Sequence, residues 1–409
     1  MNNLCSIFFY EGYVCVAPTI INLAKSLNNH GYSVKIYATK TQFTNVEKIG
    51  DNTTVTYFKK ASDIPLISRI LLIFYYKLKI KAKIPLIELI VFAHHSFINT
   101  FKTINSKSLK NNISIGVDTN GSILALFESC FFKHKFVYLS LELNDPNNLK
   151  GLAKIINLLE RLAYRKSECV IIQDEDRFKT LCEYNQYQHP QVFYLPNSSS
   201  SSEALVEEPQ SKNYFREKFN LNEEKFSSII LQAGAIEDAV LSKELAQAFA
   251  SVNNKCALVF HERQKREVDD PYMKLLQEIN SKNLFLSLEP VAYEQIDRIY
   301  TSATIGLAFY KDINNNYSQI SMASGKLSYY LKHSKPVIVN NLQSLARLIE
   351  KYKIGVVIQD PLNPLEIELA IERILSNYSF YSKNARICFD EEFDFAKKIN
   401  PILSFIESL

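Results

Sequence analysis

Short apolar runs alternate with amphipathic stretches along most of this chain. Residues 4–10 form the first run, and Glu11-Gly12 breaks it. Residues 19–28 follow with Ile20, Leu23, Ala24 and Leu27 on one helical face, and Gly31 stops them before a second apolar run at 34–38. Strand, glycine turn, helix and strand in that order make a βαβ unit. The pattern recurs. A strand at 113–117 leads through Asp118 and Asn120-Gly121 to a helix at 122–130 and a strand at 136–141. A helix at 152–165 and strands at 169–173 and 191–195 close this half at Pro196-Asn197.

Residues 198–210 are Ser-rich and acidic without periodicity, as in a linker or surface loop. A second alternation begins beyond them. Strands are predicted at 228–232, 256–260, 284–288, 304–309, 337–339 and 355–358, with helices at 242–252, 272–280, 293–302 and 342–352. Two consecutive sets predict two doubly wound α/β domains, whose ligands sit outside the carboxyl ends of the strands. The neighbourhoods of Gly12, Asp118, Glu142, Gly234, His261, Pro290, Tyr310 and Ser324 fall there.

The richest stretch is 314–341. An Asn-rich loop runs into Ser324-Gly325-Lys326, then an amphipathic helix and the strand Val337-Ile338-Val339. Ser and Gly at a helix start expose backbone N–H groups, and Lys326 adds charge, which suits a diphosphate. An ordinary capped helix has the same residues. Glu142 after its strand is either a polar group facing a sugar or a loop carboxylate making a cap, and Asp118 is read the same way. Tyr310 and Asn316 either line a sugar pocket or belong to a mobile loop.

With 409 residues the chain exceeds one core and suits two domains. A net charge of +4 is too diffuse to imply nucleic acid. The seven cysteines lack CxxC spacing, which points to reduced thiols in a cytoplasmic setting. The N-terminal residues lack the basic and long apolar regions of a signal peptide, and no window of about 18 apolar residues can span a bilayer. No histidine or carboxylate cluster has metal-ligand spacing, and the Asp174-Glu175-Asp176 and Asp269-Asp270 runs read as solvated charge. Residues 63–95 mix Arg69, Lys77, Lys79, Lys81 and Lys83 with apolar residues. They form either a basic surface resting on anionic lipid or a pair of core helices with solvated lysines.

These motifs resemble the GT-B nucleotide-sugar glycosyltransferases, and most closely the retaining enzymes of glycosyltransferase family four. The resemblance rests on Gly12 with the helix and strand after it, VFYLPNS at 192–198, LQAGAI at 231–236, the segment 289–310, and SGKLSYYLKHSKPVI at 324–338. It implies two doubly wound Rossmann-like domains facing a central cleft. An acceptor-binding domain would span 1–196, a linker 197–222, a nucleotide-sugar-binding domain 223–389, and a helix at 390–409 would return to the first domain. The activity implied is transfer of a sugar, with retention, from a nucleotide-diphosphate sugar to a polysaccharide, glycan or lipid-linked acceptor, with no separate cofactor and no metal.

Donor contacts fall by this resemblance on Gly12, Gly234, Arg263, Val291, Tyr310, Asn316, Ser324, Gly325, Lys326 and Tyr329, and catalytic roles on Glu142 and Asp118. The chain departs from the family at several of these places. Ser321 and Tyr329 stand where two glutamates are usual. Ala235, Glu237 and Asp238 stand where a basic clamp is usual, and Leu141 where a histidine is. A catalytically inactive subunit that binds an active partner and a GT-B sugar-nucleotide epimerase are the alternatives.

Overall fold

The computed structural model describes residues 3–40, 48–58, 112–200, 213–252 and 255–409. They form two units: Met1–Leu195 with Lys397–Leu409, and Pro196–Ala396. The basic segment 63–95, with its membrane reading, lies outside the described residues.

In the first unit the apolar runs become β1 (Asn3–Phe9), β2 (Tyr32–Thr39), β3 (Thr53–Phe58), β4 (Ile113–Val117), β5 (Lys135–Leu139), β6 (Cys169–Ile172) and β7 (Val192–Tyr194). They pair in the order β3-β2-β1-β4-β5-β6-β7, with every pairing parallel. Such sheets are covered on both faces, so their strands read as near-continuous apolar runs. The five residues of β4 are all buried. The strand order reverses between β1 and β4, where Phe8 pairs with Gly116. In this architecture a reversal opens a crevice at the carboxyl ends.

The helix after β4 begins at Asp118 rather than at Ser122, and runs to Phe132. Its first turn lies directly on the sheet: a Cβ on Gly121 would sit 2.1 Å from the carbonyl oxygen of Phe8. No residue but glycine fits there, and the contact draws Asp118 to the end of β1. The closing helix, Phe395–Ser408, joins the first unit from Lys397 onward, with Phe405 packed 5.2 Å from the ring of Phe193.

The second unit holds β8 (Ser228–Gly234), β9 (Cys256–Glu262), β10 (Leu284–Ser287), β11 (Ile305–Ala308), β12 (Val337–Asn340) and β13 (Gly355–Ile358). Their order is β10-β9-β8-β11-β12-β13, parallel throughout, with its reversal between β8 and β11. The expectation of two doubly wound domains is met. Part of the expected linker is structured: Tyr214–Phe219 is a helix, and Phe215 is fully buried in the core of this unit. Helices Pro364–Ser376 and Tyr378–Cys388 complete the layer. Among the described residues no helix is long and apolar enough to cross a membrane.

Candidate functional site

In the second unit the chain turns after β8 at Gly234, whose φ of 111° favours glycine. The turn is held from beneath by Glu262 at the end of β9. The Glu262 carboxyl is fully buried. It accepts the N–H of Ile236 at 3.0 Å and of Arg263 at 2.9 Å, and pairs with Arg266 at 3.5 Å. Arg266 in turn donates to the Ile236 carbonyl at 3.0 Å. Burial pushes the Glu262 carboxyl upward, while the Ile236 N–H and Arg266 oppose it. Asp238, one of the acidic residues that replace a basic clamp here, is paired with Lys311 at 2.6 Å.

The helix Gly325–Lys332 starts beside this turn. Ser324 caps it, accepting the Leu327 N–H at 3.2 Å, and the Tyr310 hydroxyl is bonded to the Ser324 hydroxyl. That bond fixes Tyr310 as a buried floor rather than a mobile loop residue. The Lys326 ammonium lies over this floor, 4.3 Å from the ring centroid. It forms no ion pair with a described residue. Burial, then the positive charge of Arg263, pushes Lys326 down to about 7, against the opposing pull of Glu237. The side chain keeps partial contact with water, which relieves part of that burial. Arg263 is exposed, and its guanidinium also lacks an ion pair among the described residues.

Tyr329 belongs to the core. Its ring stacks on Tyr300 at 4.8 Å, and its hydroxyl faces that of Tyr293. Val291 packs against the same core. Asn316 lies in the short turn Asn315–Ser318, which Asn314 caps. Gly234, Arg263, Tyr310, Ser324, Gly325 and Lys326 are thus gathered around the reversal of the second sheet, while Tyr329 and Val291 support it from the core side.

In the first unit Gly12, with φ 83°, follows Glu11 at the end of β1. Asp118 opens its helix with φ 53° and is buried. Its Oδ1 accepts the N–H of Leu141 at 2.7 Å and of Glu142 at 2.9 Å. Asp118 is therefore occupied in shaping the loop after β5. Gln173 supports the same loop by donating to the Ser140 carbonyl at 2.8 Å, and the fully buried Arg177 donates to the Leu141 carbonyl at 2.9 Å. Glu142 stands exposed at the tip of this braced loop.

Glu11 faces this arrangement. Its Oε2 is buried and has no hydrogen-bond partner among the described residues. Burial, and to a smaller degree the charge of Glu142, pushes Glu11 up to about 7, although a backbone hydrogen bond opposes the shift. Asp118 is pushed upward by burial and by Glu11. Burial pushes Arg177 downward, and the charges of Glu142, Asp174 and Asp118 oppose only part of that shift.

Sequence reasoning passed over Glu11, Arg177, Glu262 and Arg266. Glu11 was findable, because it directly follows a strand and precedes a turn glycine. Arg177 was masked by the acidic run before it, in which Asp174 caps a helix by accepting the Arg177 N–H at 2.9 Å. Among the described residues no group of His, Cys, Asp and Glu is placed to hold a metal ion.

A family model described as the C-terminal domain of glucosyltransferase 3-like proteins matches residues 288–378. No curated protein matches the chain. Among solved structures, sucrose-phosphate synthase from Thermosynechococcus elongatus superposes with a TM-score of 0.69 at 13% identity, covering 100% of this chain and 99% of its own. Anabaena HepE in complex with UDP and glucose gives 0.68 at 12% identity, covering 100% of both chains. The UDP-forming α,α-trehalose-phosphate synthase from Burkholderia xenovorans, in complex with glucose-6-phosphate, gives 0.68 at 9% identity over 99% of this chain and 100% of its own. The chain therefore has the GT-B fold, as expected from its motifs.

Proposed function

We propose that this protein is a glycosyltransferase that uses a nucleotide-diphosphate sugar, with the diphosphate held in the second unit by Lys326, Arg263 and the start of the Gly325–Lys332 helix. The observation that carries this reading is the Lys326 ammonium, held over the Tyr310 face beside Arg263 with no ion pair among the described residues. Two neighbouring cations repel each other, and that repulsion is relieved by an anion shared between them. The helix start adds N–H groups directed at the same place. As the bond to the sugar breaks, negative charge grows on the departing diphosphate, and donors already in place stabilise it.

UDP-glucose is the donor to test first, because UDP and glucose occur with HepE, UDP-2-fluoro glucose with the Escherichia coli trehalose-phosphate enzyme, and the matched family is glucosyltransferase-like. Transfer with retention to a polysaccharide, glycan or lipid-linked acceptor is the reaction proposed. The inactive-subunit reading draws on Ser321 and Tyr329, which stand where glutamates are usual. Calorimetry with UDP and release of UDP from UDP-glucose test both. Binding with turnover supports the enzyme, and binding without turnover supports the inactive subunit. No nucleoside diphosphate binding up to about 1 mM, a free energy of only about 4 kcal/mol, overturns both readings.

A further inference from the structure

We propose that the outward surface of the helices Asp118–Phe132 and Leu152–Lys166, in the first unit, rests on an anionic bilayer, its apolar side chains entering below the headgroups and its lysines meeting them. The inference goes beyond the sugar-nucleotide reading and stands without it.

The two helices join β4 to β5 and β5 to β6. These strands step across the sheet in one direction, and right-handed crossovers put both helices on the same face of it, where they pack against each other. A helix in such a layer ordinarily turns its apolar side to the sheet and its polar side to water. The helix Leu152–Lys166 is partly reversed. Inward it carries Glu160, which is buried and accepts the Tyr138 hydroxyl at 2.8 Å. Outward it carries Ile155, Leu158 and Leu162, which are 54%, 55% and 46% exposed. Their spacing of three and then four residues sets them in one stripe. On the neighbouring helix Phe127 and Phe131, four residues apart, are 48% and 68% exposed. Single apolar residues scattered over a surface are ordinary, but aligned stripes on two adjoining helices mark a place of contact.

Charge selects the partner. The carboxylates of these two helices, Asp118, Glu128 and Glu160, are all buried. Arg161 and Arg165 turn aside to the carbonyls of Tyr184 at 3.1 Å and Gln186 at 3.2 Å. Lys133, Lys150, Lys154 and Lys166, on the helices or next to their ends, are exposed and form no ion pair with a described residue. The two helices thus present apolar side chains and positive charge, with no exposed carboxylate among them. An apolar stripe flanked by cations is the pattern of a helix lying in a bilayer interface, where lysines reach anionic headgroups while apolar side chains sink beneath them. Contacts between proteins deplete lysine at their centre, whereas at a lipid surface the lysine stem extends the apolar area and carries its charge outward.

Flotation of the purified full chain with two kinds of vesicle tests this: phosphatidylcholine alone, and phosphatidylcholine mixed with phosphatidylglycerol. The wild type is expected to bind the mixed vesicles and to be released from them by high salt. Replacing Lys133, Lys150, Lys154 and Lys166 by Gln should weaken that binding by on the order of several hundred-fold, at about fivefold for each lysine. Phe131→Ser and Leu158→Ser should weaken it by about tenfold each. All these positions are exposed, so the variants should unfold at the wild-type temperature. Their UDP affinity should be unchanged, and a protein that binds vesicles but no UDP refutes only the donor reading. A wild type that floats with neither kind of vesicle overturns the proposal. Binding that survives both the lysine and the apolar replacements overturns it as well. Binding lost only when Lys77, Lys79, Lys81 and Lys83 are replaced by Gln moves the contact to 63–95 and away from these helices. A wild type that ignores vesicles but associates with itself, and loses that association in Phe131→Ser and Leu158→Ser, makes this face an interface between protein chains and overturns the lipid assignment.

Discussion

The two sheets reverse their strand order in the same way and present opposite charges where they do. At the first reversal Glu11, Asp118 and Glu142 meet, with Arg177 behind their loop. At the second, the carboxylates are already engaged. Glu262 accepts two N–H groups and pairs with Arg266, and Asp238 pairs with Lys311. The groups left there are the cations Lys326 and Arg263. One architecture thus carries two kinds of charge: carboxylates are able to accept from hydroxyls, and cations at a helix start are able to pair with phosphates. The difference lies in a few strand-end residues, while the cores share one construction.

The sharpest break in this contrast comes from removing a cation. Lys326→Ala should weaken UDP binding by roughly ten- to hundred-fold, since a charged hydrogen bond contributes about 1.5–3 kcal/mol. Calorimetry on the purified variant measures it. Unchanged affinity would take the diphosphate away from this turn and end the comparison.

A second, smaller effect is read in stability. The Glu11 carboxyl has an unfolded value near 4.5 and a folded one raised to about 7. Between these values the native state binds more protons than the unfolded one, so stability falls as pH rises through that window. Glu11→Gln cannot ionise and should lose this dependence, ending more stable than wild type at pH 8 by on the order of 1–2 kcal/mol, part of the full shift being relieved by solvent. Denaturant titrations at about pH 5 and about pH 8 measure it. Parallel pH profiles for the two proteins would mean that the Glu11 carboxyl is not desolvated in the way the fold indicates.

Much of this was legible in the chain, and the gaps have physical causes. Buried parallel strands announce themselves as apolar runs, which is why β4 and β12 were readable within a residue of their ends. The turn at Gly234 and the cap at Ser324 were legible because φ and capping constrain residue type. Strand β3, Thr-Thr-Val-Thr-Tyr-Phe, escaped because its threonines interrupt the apolar run that marks the other strands. The helices at Pro364–Ser376 and Tyr378–Cys388 are amphipathic but follow the last strand, where alternation no longer flags them. Asp118 looked like a loop residue because Asn120-Gly121 signals a turn. Here that glycine serves close packing against Phe8 instead. The roles of Glu11, Arg177 and Glu262 depend on what lies across the sheet, which no local pattern encodes.

A third effect isolates the cap from the charge. Ser324→Ala removes the acceptor for the Leu327 N–H and the partner of the Tyr310 hydroxyl. Loss of a cap costs about 1 kcal/mol, so the midpoint of unfolding should shift modestly. UDP affinity should fall less than in Lys326→Ala, because the ammonium remains. A Ser324→Ala loss as large as that of Lys326→Ala would mean that the hydroxyl itself, and not the cation, is the main contact.

The smallest expected effect is none at all, and it tests the same contrast from the side of the ligand. A diphosphate needs its charge offset either by a divalent cation on carboxylates or by protein cations. In the second unit the nearby carboxylates are committed: Glu262 to Ile236, Arg263 and Arg266, and Asp238 to Lys311. Glu237 acts on Lys326, where its negative charge supports the protonated ammonium. Among the described residues no set of oxygens remains to fill the sphere of magnesium or manganese, whereas Lys326 and Arg263 supply positive charge directly. UDP release from UDP-glucose should therefore be the same in EDTA as in added magnesium, and Lys326→Ala should not be rescued by either metal. Activity abolished by EDTA and restored by manganese would place a cation where the two side chains are now assigned. It would also make the second reversal carboxylate-based like the first, so that the contrast between them would no longer hold.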